Sequence, residues 1–258
     1  ISDTNEIKKI LNGEYFTRQN VFNLVDYDYF GWLNNSPYVE QIVGSVVELQ
    51  HRLVAYDFSR VGETDIFGRL LAQLANKEHR LMLGQEFTPH WVAQDIVEYN
   101  MDLLAGNSPR IVDMCCGSGV FLIESIKAVR RQYDIVPERY STEKDDIVFS
   151  CIMGFDIDPL AVMLAKVNWV MAMRDLFSVH HGDITVPIYH ADSLIVATPI
   201  THQMPDDDND AYILHFAHHE VSLPAFLLSP ERRKVFDAFM AKVYRLAMAR
   251  ASEVETPI

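Results

Sequence analysis

Between residues 109 and 126 the chain reads PRIVDMCCGSGVFLIESI: a short apolar run ending in an acid, a turn with two glycines, then a longer run with apolar residues at helical spacing. No other stretch constrains the fold as much. A strand that turns through glycine directly into a helix sets that turn at the C-terminal edge of a sheet. Glycine there lets a ligand approach the backbone, and the helix start offers amide groups. The same alternation continues along the chain. Short runs with β-branched residues predict strands at 110–114, 148–156 and 187–191, and apolar spacing predicts helices at 119–132 and 159–176. Thr88-Pro89, a cap residue followed by proline, opens another helix through Trp91, Val92, Ile96 and Val97. Strands alternating with helices predict an α/β fold: a parallel sheet covered by helices, with ligands at the C-terminal ends of the strands.

Three regions are expected: a helical N-terminal domain at 1–82, a core at 83–199, and an acidic insertion with a helical C-terminal segment at 200–258, its helix near 230–251. There is no internal repeat. At 258 residues and 49% hydrophobic composition the chain can bury a full core. No apolar run approaches the ~18 residues of a membrane span, and the first residues lack the basic-then-apolar order of a secretory signal, so a cytoplasmic location and no membrane partner are the expectation. The formal charge of -14 argues against a broad nucleic-acid surface, which is normally basic, so contacts to a phosphate backbone would come largely from elsewhere. Part of that excess is the acidic run at 205–210, read as a solvated loop. Three cysteines, two of them adjacent, form neither a disulfide framework nor a zinc pattern. His180, His181, His215, His218 and His219 have no carboxylate or cysteine at ligand spacing and read as solvent-facing. The aromatic residues Tyr27, Tyr29, Phe30 and Trp32 read as helix packing rather than a base-stacking platform.

The acids decide which ligand suits the turn. Gly117-Ser118-Gly119-Val120-Phe121-Leu122 has leucine where a dinucleotide fingerprint needs its third glycine, and Asp113 leads the turn. A carboxylate there repels a pyrophosphate and attracts the ammonium and sulfonium of S-adenosylmethionine. Asp156 ends the second strand, where it can accept ribose hydroxyls; Ile157 follows where the adenine face would lie; Asp192 follows the third strand, where it can accept from the adenine amine. The bland alternative is three unrelated turn-starting acids on an ordinary α/β domain.

Gly84-Gln85-Glu86-Phe87-Thr88-Pro89, Asp113-Met114-Cys115-Cys116-Gly117-Ser118-Gly119, Gly154-Phe155-Asp156-Ile157-Asp158-Pro159 and Ala191-Asp192-Ser193-Leu194, in this order, resemble the cofactor motifs of N6-adenine DNA methyltransferases. The likeness is greatest to modification subunits and fused enzymes of restriction-modification systems, and Asp65-Ile66-Phe67-Gly68-Arg69-Leu70 resembles the helix that leads into the first motif. The resemblance implies a Rossmann-like, three-layer methyltransferase fold whose sheet is either complete here or continued outside the chain. It also implies a set of cofactor contacts. Thr88 and Pro89 would flank the methionine end, Asp113 would hold its amino group, and Gly117 and Gly119 would lie beneath it. Asp156 would take the ribose, with Ile157 and Asp192 at the adenine. Cys115 stands at the family's cysteine position and reads as a small residue fitting a tight turn. The family's catalytic Asn/Asp-Pro-Pro-aromatic tetrapeptide is not in this sequence, the nearest string being Asn35-Ser36-Pro37-Tyr38. No catalytic residue and no metal ligand is therefore assigned. The expectation is an N-terminal fragment that binds the cofactor but is inactive alone, with DNA and a specificity or restriction subunit, or a fused domain, as partners. Alternatives are a protein-glutamine or RNA methyltransferase and a non-catalytic scaffold on the same fold.

Overall fold

A computed structural model describes residues 3–25, 33, 37–58, 65, 67–68, 88–104, 108–141, 145–193, 198–199, 211–216, 219–229, 231–232, 235–236, 239–240 and 242–243. The motif positions 84–87 and 194, the string at 35–36, the aromatic residues at 27–32 and the acidic run at 205–210 lie outside them. The chain divides into two compact units, Ile1–Ser193 and Leu194–Ile258.

The first unit is a mixed α/β structure built on a parallel ladder. Strands β2 (Ile111–Asp113), β3 (Ile152–Asp156) and β5 (Ile188–His190) run parallel in the order β2-β3-β5, with Asp113 opposite Gly154 and Asp156 opposite His190. The helices α5 (Val120–Tyr133) and α7 (Pro159–Met173) follow β2 and β3; α5 packs on both of those strands and α7 on β3 and β5. The helix α4 (His90–Leu103) lies along α5. The sequence of α7, PLAVMLAKVNWVMAM, is apolar nearly all round, as a helix enclosed by its neighbours should be. Leu122, Ile126 and Val129 of α5 meet Val162, Trp169 and Met173 of α7 and Ile152 and Ile188 of the sheet, each at most 1% exposed. Burying each such large apolar side chain contributes roughly 1.5–3 kcal/mol over leaving it in water.

Before this ladder come α1 (Thr4–Leu11), α2 (Glu14–Thr17), the two-residue strand β1 (Val21–Phe22) and α3 (Tyr38–Val54). β1 pairs in parallel with β4 (Ile184–Thr185). Asn23, in a left-handed conformation at φ 59°, extends the connection: its Nδ2 donates to Val186 O at 2.6 Å and Ile188 O at 3.0 Å, and its Oδ1 accepts from buried Lys166 at 3.2 Å. The N-terminal region, expected to be helical, thus contributes a strand that the sequence pattern did not predict.

Three further elements differ from expectation. The strand predicted at 148–156 begins only at Ile152, because Ile147–Ser150 form one helical turn, α6, closed by Cys151 N–H to Ile147 O at 2.9 Å. That turn buries Val148 completely, and burial overrides the strand preference of a β-branched pair. Helix α7 stops at Met173 instead of 176. Arg130 ends it by donating to Ala172 O at 3.3 Å and gripping the Asp175 carboxylate at 2.6 and 3.0 Å. In the second unit, β6 (Thr198–Pro199), β7 (Ala211–Phe216) and β8 (His219–Pro224) form an antiparallel sheet in that order. The predicted C-terminal helix is seen only as helical backbone at positions within 231–243.

Candidate functional site

The parallel register carries two acids to one edge. β2 ends at Asp113 and β3 at Asp156, and the turn 114–119 crosses between β2 and α5 beside both. Gly117 and Gly119 have φ of 53° and 93°, a region that side chains rarely enter. Among the described residues a Cβ on Gly117 would meet nothing within 4 Å, whereas one on Gly119 would lie 3.3 Å from the Cβ of Ala165. Gly117 therefore faces open space and Gly119 faces α7: one glycine is there for approach from outside, the other for packing within.

Asp156 holds the turn from below. Its Oδ2 accepts from Gly117 N–H at 2.8 Å and its Oδ1 from Asp158 N–H at 2.9 Å. Cys115 N–H donates to Asp113 Oδ1 at 3.1 Å, Cys116 N–H to Phe155 O at 2.8 Å, and Gly119 N–H to Cys116 O at 2.8 Å. The amides of Cys115, Cys116, Gly117 and Gly119 are thus engaged within the protein. The helix start itself carries no side-chain cap, and beside it the turn presents the carboxylates of Asp113 and Asp156. The Oδ2 of Asp113 is buried with no hydrogen-bond partner among the described residues. Burial, together with the nearby Asp156 charge, raises the Asp113 pKa against the opposing pull of the Cys115 amide, burial being the largest influence. A buried carboxylate oxygen without a partner, beside an open glycine, suits a cationic group that donates hydrogen bonds.

The remaining expected positions lie around this pair. Ile157 follows Asp156 and is 67% exposed, an apolar side chain standing in solvent at a strand end. His190 Nε2 lies 2.9 Å from the Ile157 carbonyl and steadies that corner. Ala191 N–H donates to Asp156 O at 3.0 Å, which brings the next residue, Asp192, to the same edge. Thr88 and Pro89 immediately precede α4, whose first residue His90 lies 2.7 Å from Glu124 in α5. Glu124, 3% exposed, also accepts from Lys127 of the same helix at 2.8 Å, and it is its contact with His90 that ties the start of α4 to α5. Cys115 is exposed, while Cys116 is buried and its thiol pKa is raised by burial and by the Asp113 and Asp156 charges.

Sequence reasoning gave no role to Asp65, Ser118 or Asn168, which bond one another behind the turn. Only long-range structure pairs them. His180 also departs from its solvent-facing expectation. Its side chain is 6% exposed, its Nδ1 lies 3.0 Å from Asp146, and its ring sits 4.6 Å from that of Phe149. No group of three or more possible metal ligands occurs among the described residues, and no helix among them is long and apolar enough to cross a membrane.

A family model described as N-6 DNA Methylase matches residues 62–207, more than half of the 258-residue chain, and spans both acids and the turn. The chain belongs to the N-6 DNA methylase family. A search of curated proteins gives no match for this chain. Among solved structures it resembles a Vibrio vulnificus YJ016 protein assigned as a modification subunit of a type I restriction enzyme, at 24% identity over 55% of this chain and 26% of that one, with a TM-score of 0.35. It also resembles DrdV in a DNA complex, at 17% identity over 73% and 20% of the two chains and TM-score 0.40. A third likeness is to a nuclease-deletion mutant of the Type ISP restriction-modification enzyme LlaGI with a DNA substrate mimic, at 14% identity over 70% and 19% and TM-score 0.31. The chain spans between 19% and 26% of the length of these proteins.

Proposed function

We propose that this chain is the S-adenosylmethionine-binding part of a site-specific adenine-N6 DNA methyltransferase serving a restriction-modification or phage-defence system. Residues 83–199 would be its cofactor-binding core, in a Rossmann-like, three-layer methyltransferase fold that the parallel order β2-β3-β5 supports. The observation that carries the reading is the buried Oδ2 of Asp113, without a hydrogen-bond partner among the described residues, at the head of the turn that holds the left-handed Gly117. S-adenosylmethionine supplies a methyl group on a positively charged sulfur. The chain's own residues bind and orient: Asp113 accepts from the ammonium, and Gly117 gives the methionine end room beside Thr88 and Pro89. Asp156 keeps a lone pair on each oxygen for the ribose while its other contacts fix the turn. Ile157 offers its exposed face to the adenine and Asp192 accepts from the adenine amine. Cys115 and Gly119 let the chain turn tightly enough to do this. No residue is given the transfer step. The net charge of -14 supports DNA contact largely through other parts of the assembly, a specificity or restriction subunit or fused domain among them.

Calorimetric titration of S-adenosylmethionine into the wild-type chain and into Asp156→Ala tests this. Saturable binding that the variant loses by at least about tenfold is expected. A folded wild-type chain that takes up no cofactor would overturn the reading.

A further inference from the structure

The residue between the two glycines is held from two sides. Asp65 receives three donors on one carboxylate: Gly68 N–H at 2.7 Å and Asn168 Nδ2 at 2.7 Å on Oδ1, and the Ser118 hydroxyl on Oδ2. Asn168, 2% exposed on α7, reaches the Ser118 carbonyl with the same nitrogen at 2.8 Å. Ser118 is itself 3% exposed, so its side chain and its backbone are both pinned inside the protein. Gly68 is where this approach becomes possible. A Cβ there would overlap the Asp65 carboxylate and stand 2.7 Å from Ser118 Oγ, and both of those groups are already tied.

We infer that Asp65 is a positioning residue for the cofactor turn, acting through Ser118 and Asn168 without touching the cofactor. The inference rests on the cofactor reading above. Glycine at 117 and 119 gives the turn its left-handed shape but no side chain to hold that shape, and Gly117 has no neighbour where a Cβ would be. Fixing Ser118 fixes both glycines at once. A turn held ready in the free protein binds without an ordering penalty, so release of the clamp should appear as weaker affinity. The three donors come from three places in the chain, so the clamp also bonds the segment around residue 65 to α7.

The test compares wild type, Asp65→Ala, Asp65→Asn and Ser118→Ala in the whole chain, by S-adenosylmethionine titration and by the Gly117 and Gly119 amide signals in nitrogen-15 spectra. Asp65→Ala should bind about tenfold more weakly and move both glycine signals in the free protein. Asp65→Asn, which keeps one accepting oxygen, should recover part of each effect. Should Asp65→Ala not fold, Ser118→Ala, which deletes a single hydroxyl, is expected to show the same two changes on a smaller scale. A folded Asp65→Ala or Ser118→Ala with wild-type affinity, or with unmoved glycine signals, overturns the inference. A wild-type chain that binds no S-adenosylmethionine instead removes the cofactor reading and the inference with it; where the wild type binds, Asp156→Ala tests the cofactor reading whether or not Asp65 matters, and the Asp65 and Ser118 variants test the inference alone.

Discussion

At the scale of single residues, Asp113 pulls in two directions. Its buried Oδ2 lacks a partner among the described residues and its pKa is raised chiefly by burial, so the folded free chain holds its proton more readily than the unfolded chain does. The destabilisation is absent below the unfolded carboxylate pKa and complete once pH exceeds the raised folded one. Asp113→Asn should therefore raise the unfolding temperature of the free chain at pH 7, and the gain should shrink as pH falls into the ordinary carboxylate range. The same change should weaken S-adenosylmethionine by about tenfold or more, since a hydrogen bond to a charged group is lost. Thermal melts across pH and a titration read both; a lower unfolding temperature at pH 7 would mean the carboxylate stabilises the free fold. Asp113 and Asp156 were legible in the sequence because each ends a short apolar run and their spacing from the glycines is local. The bond from Asn168 to Asp65 joins residues 103 apart, and no local pattern announces such a partnership. His180 failed for the same reason: polarity suggested solvent, while Asp146, Tyr140 and Phe149 surround it inside the fold.

Elements were legible where their ends carry chemistry. Helix α7 begins at Pro159, as read, because Asp158 caps it by accepting from Leu160 N–H at 2.9 Å and proline fills the first helical position. Asp158→Ala should cost about 1 kcal/mol of stability, or roughly 2–4 °C in unfolding temperature. The bond from its own backbone N–H to Asp156 survives that substitution, so cofactor affinity should change far less than in Asp156→Ala. Differential scanning calorimetry with and without cofactor separates the two. Where an end is set by a distant group, the reading slipped. The carboxyl end of α7 is fixed by Arg130 from another helix, and β3 begins late because Val148 is drawn into the core. The β7–β8 pair was not predicted although AYILHF has a strand's composition, because its pairing, from Ala211 opposite Pro224 to Phe216 opposite His219, belongs to two short runs together and to neither alone.

At the scale of the whole chain, the class of fold and the parallel sheet followed from alternation alone, whereas the contribution of the N-terminal region did not. Two residues pairing across the sequence, Val21 with Ile184 and Phe22 with Thr185, are too few to carry a periodic signal. Their anchor is Asn23, and Asn23→Ala should destabilise the chain by about 1–3 kcal/mol, because the side-chain partners of Val186 O and Ile188 O are lost. Urea unfolding should then show an earlier midpoint with an unchanged slope; a midpoint equal to wild type would mean that the N-terminal strand is incidental to the unit. The sulfur atoms also have different fates across the molecule. Cys151 is buried with its thiol pushed up to about 11, and Cys116 is buried with its thiol raised by burial and by the Asp113 and Asp156 charges, but Cys115 reaches water. A thiol reagent at neutral pH thus meets one address, two residues from Asp113 and two from Gly117, so a dye fixed there would sit at the mouth of the turn and report on it while the other two sulfurs stay silent.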